Sequence, residues 1–118
     1  MRRDVRKYLE DVLLTIDEIS VVVAGIDFET YVAVLTIYRT VERDFTILGE
    51  ALARISRISP DAKDRVDHLP QISGFRNLIV HDYFYVDHAR VWDVIQNRLP
   101  LLKEQIQRWL SELESQAE

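Results

Sequence analysis

The chain has 118 residues, 47% of them hydrophobic and 30% charged, with 15 Lys+Arg against 20 Asp+Glu for a formal net charge of −5. This size and balance fit one soluble globular domain over residues 1–118 with an acidic tail at 111–118, and exclude a disordered chain. The negative balance argues against a protein that coats nucleic acid non-specifically, so any nucleic-acid contact must be focal. There is no cysteine, which removes disulfides, thiolate chemistry and Cys-based metal sites and is compatible with a cytoplasmic location. No apolar run approaches the roughly 18 residues of a membrane span. The start Met1-Arg2-Arg3-Asp4 leads into an amphipathic pattern rather than a signal-peptide core.

Val5, Leu9, Val12, Ile16, Ile19 and Val23 step by four and three, which predicts a first amphipathic helix. Gly25 is its expected stop and Asp27 the cap of the next helix. Tyr31, Leu35, Tyr38, Val41, Phe45, Leu48, Leu52 and Ile55 form a second stripe, implying one long helix of roughly 28 residues at helical spacing. Gly49 inside it costs up to ~1 kcal/mol relative to Ala and reads as a close helix–helix contact. Ser59-Pro60 predicts a cap and first turn for a short helix over 61–66. Pro70 opens another helix running to about His81. Residues 82–86 read as an aromatic turn, and Asp87 as the cap of a last helix carrying Val91, Ile95, Leu99, Leu102, Ile106, Trp109 and Leu113. Pro100 should kink that helix, because it removes one backbone bond. With no strand alternation, the expectation is an all-α antiparallel bundle of four to five helices. The near-heptad stripes make a homodimer plausible.

The densest chemistry lies in Arg76-Asn77-Leu78-Ile79-Val80-His81-Asp82-Tyr83. An Arg can hold charge on phosphate oxygens, and a His moves a proton near neutral pH. Asn77 and His81, four apart, share a helix face. Arg76 and His81 are about 140° apart on an ideal helix and converge only if His81 lies at or past the helix end. Spacing alone is equally compatible with surface charges at Arg76 and Asp82, a helix-terminal cation at His81 and a half-buried Tyr83. His68 and His88 match no metal-ligand spacing, so neither a metal nor a cofactor is expected. Glu10-Asp11 and Asp17-Glu18 read as a solvated face. Arg39 and Arg43, four apart, read first as a solvent face and second as a phosphate or partner contact.

Arg76-Asn77, then His81 after four further residues beyond Arg76, then Tyr83 after one more, resembles the signature of HEPN domains, and the ending His-x-Tyr resembles the HepT-like branch. Gly49-Glu50-Ala51, Ile72 to Phe75, His81 to Phe84, Val91 to Ile95 and Leu99-Pro100 also resemble that family, so the likeness covers roughly residues 1–110. It departs where the family often has a Trp after the Pro preceding the motif helix; Gln71-Ile72-Ser73 stands there. The resemblance implies a HEPN-type bundle and a metal-independent endoribonuclease toxin. In that reading the RNA 2′-hydroxyl attacks its adjacent phosphate. His81 is the general base or acid, Arg76 stabilises the phosphorane and Asn77 orients His81 or binds a phosphate oxygen. Tyr83 is implied as the residue that an MntA-like nucleotidyltransferase antitoxin modifies with AMP. The second proton-transfer group is unassigned, and a homodimer would bring two motifs together. The alternative is a non-catalytic HEPN dimer that binds a nucleotide or protein partner.

Overall fold

The computed structural model describes residues 2–67 and 86–117. Six helices and no strand occur among them: α1 (Arg2–Val23), α2 (Phe28–Ala33), α3 (Leu35–Ile58), α4 (Ala62–Arg65), α5 (His88–Asn97) and α6 (Leu99–Ala117). The all-α architecture expected from periodicity is present. The helix predicted from Pro70 to His81 and the turn over 82–85 lie outside the described residues.

α1 forms as its stripe requires, with all six stripe positions from Val5 to Val23 buried. It stops where Gly25 adopts φ +75, a left-handed backbone that costs an L side chain about 1 kcal/mol. Nothing lies within 4 Å of a Cβ built there, so the cost is conformational. Gly25→Ala is therefore expected to lower unfolding free energy by about 1 kcal/mol, read in urea titrations. Asp27 then caps α2, its side chain accepting from the Thr30 N–H at 2.8 Å. That bond holds the Asp27 carboxyl below its ordinary range.

The single long second helix is corrected to two. Val34 is extended (φ −108, ψ 105) and serves as both the C-cap of α2 and the N-cap of α3. Its N–H donates to the Thr30 carbonyl, and its own carbonyl accepts from Ile37 and Tyr38. Propensity does not place this break, since Thr36, Ile37, Thr40 and Val41 are β-branched too and stay helical; the local backbone bonds compensate it. Consequently Leu35, a stripe position, is 56% exposed. The short helix also begins later than expected. Ser59 Oγ donates to Asp61 Oδ1 at 2.6 Å, and α4 opens at Ala62. The last helix is likewise two: α5 ends at Asn97, and Leu99-Pro100 open α6. Pro100 has no N–H for the Gln96 carbonyl and its ring would clash with it, whereas a first turn tolerates Pro. Arg98, between α5 and α6, stays in the right-handed helical region, its N–H bonded to the Val94 carbonyl and its own carbonyl accepting from Leu102, so the interruption is the local kink that Pro100 predicts.

α1 and α3 pack antiparallel. Arg54, late in α3, lies over the ring of Tyr8, early in α1, at 5.8 Å, while Asp44, early in α3, meets Glu18, late in α1. α6 runs antiparallel to α1, tied by Lys103 to Asp17 at 3.0 Å. Arg65 braces α4 to α6: its guanidinium lies 5.8 Å from the Trp109 ring and pairs with Glu112. The core between these helices contains Leu9, Ile16, Phe45, Leu52, Leu102 and Ile106, all at 2% exposure or less. No helix among the described residues is long and apolar enough to cross a membrane.

One carboxylate sits inside the α1–α3 seam. Asp44 is 1% exposed and faces the Glu18 side chain across the seam. Burial first, then the charge of Glu18, push its carboxyl up to about 6, against a smaller opposing pull from Arg43. Because the folded state binds this proton more tightly than the unfolded chain, stability is lost as pH rises from about 4 through about 6. The cost above that window is up to ~3 kcal/mol. Asp44→Asn is expected to raise the melting temperature at pH 7 and to leave it nearly unchanged at pH 4, measured by circular dichroism.

Candidate functional site

Arg76, Asn77, His81 and Tyr83 lie in the stretch 68–85, outside the described residues, as does His68. What is described is the frame on either side of that stretch. At its upstream edge the Asp67 N–H donates to Gln105 Oε1 of α6 at 3.1 Å. At its downstream edge Val86 is buried in the core and Asp87 caps α5, its Oδ1 accepting from the Arg90 N–H at 3.2 Å. Both edges are thus fixed to the bundle, the second with the cap that the sequence predicts.

Around the second edge α2, α3 and α5 build a continuous aromatic cluster. Tyr31 is fully buried, 5.3 Å from the Trp92 ring, 5.6 Å from His88 and 6.4 Å from Phe28. His88 in turn lies 4.8 Å from Tyr38. Tyr31 and Tyr38 come from the two sides of the Val34 break, which turns α2 toward α5 while α3 follows α1. Arg39 extends the cluster outward, its guanidinium 5.3 Å above Tyr38 and Nη1 2.8 Å from Glu42 Oε1.

This cluster is polar inside. Tyr31 OH, Glu42 Oε2 and His88 Nδ1 are all buried without a hydrogen-bond partner among the described residues. Burial, then the charge of Glu42, push the Tyr31 phenol well above its usual range. At this site Tyr31 is therefore a neutral donor at any physiological pH.

The remaining sequence candidates separate cleanly. Arg39 is a partner of Glu42 and Tyr38, whereas Arg43 is an exposed residue on α3. Glu10, Asp17 and Glu18 are exposed, as a solvated face requires, whereas Asp11 is half-buried. No group of three His, Asp or Glu among the described residues could hold a metal ion. His88, which by spacing reads as isolated, is instead packed among aromatics. The sequence holds one local trace of this: Tyr38 and Glu42, four apart, share a face of α3. That Tyr38 meets His88 depends on tertiary packing.

Comparison with known proteins gives a consistent result. A family model described as "Ribonuclease HepT-like" matches residues 12–109. A Methanocaldococcus jannaschii protein named "Putative RNase MJ0125" is 28% identical over 96% of this chain and 97% of its own length. A Caldanaerobacter subterraneus protein named "Putative RNase TTE0752" is 29% identical over 89% of this chain and 93% of its own. A Thermococcus cleftensis protein named "Probable ribonuclease HepT" is 28% identical over 92% of this chain and 97% of its own. No solved structure gives a match.

Proposed function

The chain belongs to the ribonuclease HepT-like family, and from that premise we propose that it is a metal-independent endoribonuclease acting as the toxin of a toxin–antitoxin pair. The observation that carries the reading is that Arg76, Asn77, His81 and Tyr83 all fall within the matched span 12–109. A fixed cation and an imidazole are the two groups a metal-free attack on a phosphodiester needs.

In this mechanism the 2′-hydroxyl of RNA loses its proton to His81 and attacks the adjacent phosphorus in line. Arg76 offers its forked donors to the phosphorane oxygens, where charge accumulates in the transition state. Asn77 orients the imidazole or a phosphate oxygen. The bond to the 5′-oxygen breaks and that oxygen takes up a proton, from water or from the second His81 of a dimer, leaving a 2′,3′-cyclic phosphate and a 5′-hydroxyl. A homodimer bringing two motifs into one cleft would double the local positive charge, which answers the acidic overall balance.

Control is assigned to Tyr83. A nucleotidyltransferase antitoxin would attach AMP to its phenol, placing a bulky anion beside Arg76 and His81 and excluding substrate.

The test uses purified protein treated with phosphodiesterase, incubated with cellular RNA in EDTA, and end-group analysis of the products. Cleavage leaving 2′,3′-cyclic phosphate ends is the expected result. No cleavage by protein whose intact mass confirms an unmodified Tyr83 would instead identify a nucleotide- or partner-binding module.

A further inference from the structure

α1 and α3 turn toward solvent a face that the core does not use. On α1 it reads Asp11, Leu14, Glu18 and Val21, stepping by three and four; on α3 it reads Arg43, Ile47, Glu50 and Arg54, with the same alternation. Such steps put each set on one side of its helix. Leu14 is 69% exposed, Val21 76% and Ile47 38%. Leu14 and Ile47 line one groove of about 300 Å³ together with Asp11 and Arg54. Large aliphatic side chains grouped in water and rimmed by charge mark an interaction surface.

The charges on this face choose what can cover it. Arg54 is level with Tyr8 and Asp44 with Glu18, ten residues apart on each helix, so the two helices keep step. Leu14 is then level with Leu48, next to Ile47. Both charged positions on the α1 stripe are acidic, and two of the three on the α3 stripe are basic. A two-fold axis across the helices would set α1 against α1, bringing Asp11 to Glu18, and α3 against α3, bringing Arg43 to Arg54. Both contacts put like charge on like, which costs affinity. A two-fold axis along the helices lays α1 of each copy over α3 of the other at the same level. Leu14 then covers the partner's Ile47, and Glu18 meets the partner's Arg43. Asp11 lies within one turn of the partner's Arg54, and Glu50 is the like-charged neighbour that weakens this second pair.

We propose that this face joins two copies of the chain, α1 of each over α3 of the other, through Leu14 on Ile47 and Glu18 on Arg43. The helices have 22 and 24 residues, and side by side they offer a face of roughly 650 Å² at helical rise and diameter. That approaches the about 800 Å² that each partner gives to a specific interface. The homodimer of the ribonuclease reading gains a definite face in this way. Its measurement needs no RNA, so either reading can fail without the other.

The mass of the purified full chain is followed by sedimentation velocity from micromolar to sub-millimolar concentration, where a dimer is expected. Glu18→Arg and Arg43→Glu should each weaken it about tenfold or more, because each sets like charges against one another across the two-fold. An equimolar mixture of the two variants should pair as wild type does, since both of its contacts are again opposite in sign. The chain has no cysteine, so single introduced thiols report position. A chain with Leu14→Cys should join a chain with Ile47→Cys through a short thiol crosslinker, whereas Leu14→Cys alone should not join itself. Circular dichroism checks that each variant is folded; if a charge variant is not, the thiol pair, which alters no charge, decides. A wild type that is monomeric at every concentration overturns the proposal and leaves the face to a different partner. A dimer indifferent to both charge variants overturns it too, as does one in which Leu14→Cys joins itself as fast as it joins Ile47→Cys.

Discussion

His81→Ala is expected to slow RNA cleavage by about 10²–10⁴-fold, the range that a positioned acid or base contributes. The loss should appear in kcat, because the imidazole acts on a proton that moves only in the transition state. Arg76→Ala is expected to cost about 10²–10³-fold, typical of a removed donor to developing oxyanion charge. Arg76→Lys should recover only part of this, since an ammonium is a point charge and cannot present two parallel donors. Both Ala variants should unfold at the wild-type temperature within a few degrees. Comparable cleavage by wild type and both variants would trace the activity to a contaminating nuclease and remove the site assignment. The comparison is most informative in EDTA, where a metal-dependent contaminant is silent.

Leu52→Ala is expected to destabilise the domain by about 2–5 kcal/mol, the cost of an unfilled cavity in a close-packed core. Leu52 is fully buried midway along α3. For a domain whose total stability lies in the range of about 5–15 kcal/mol, that is a large share, and a drop in melting temperature of about 10 °C or more should follow. Leu35→Ala is the matched control. Both residues occupy the same periodic stripe, but Leu35 is 56% exposed, and its loss should stay within about 0.5 kcal/mol. A large effect at Leu35 would mean that α2 and α3 form one continuous helix with Leu35 in the core.

That pair of leucines also marks the limit of what periodicity can convey. The first helix was legible throughout: six apolar positions at steps of three and four can be buried together only on one helical stripe, and all six are buried. The stops and caps at Gly25, Asp27 and Asp87 were legible because each is a local interaction between neighbours in the chain, namely a positive φ or a carboxylate on a nearby N–H. The interruption near Pro100 was legible, because Pro removes a backbone donor; the break at Val34 was not placed. A stripe continues through a one-residue interruption without losing its step, so Leu35 and Leu99 looked equivalent; one is exposed and the other is 3% exposed in the core.

The site divides in the same way. The Arg76, Asn77, His81 and Tyr83 constellation is contiguous in sequence, so its chemistry and its family likeness could be read without a fold. The cluster of Tyr31, Glu42 and His88 could not. Its members lie 11 and 46 positions apart along the chain, and separately Tyr31 reads as one position of an apolar stripe and His88 as an isolated histidine. The helical class, the family likeness and the contiguous motif are readable along the chain, because they depend on residues within a few turns of one another. That Tyr31, Tyr38, Trp92 and His88 pack in one corner is set by the fold, because it depends on the break at Val34 turning α2 toward α5.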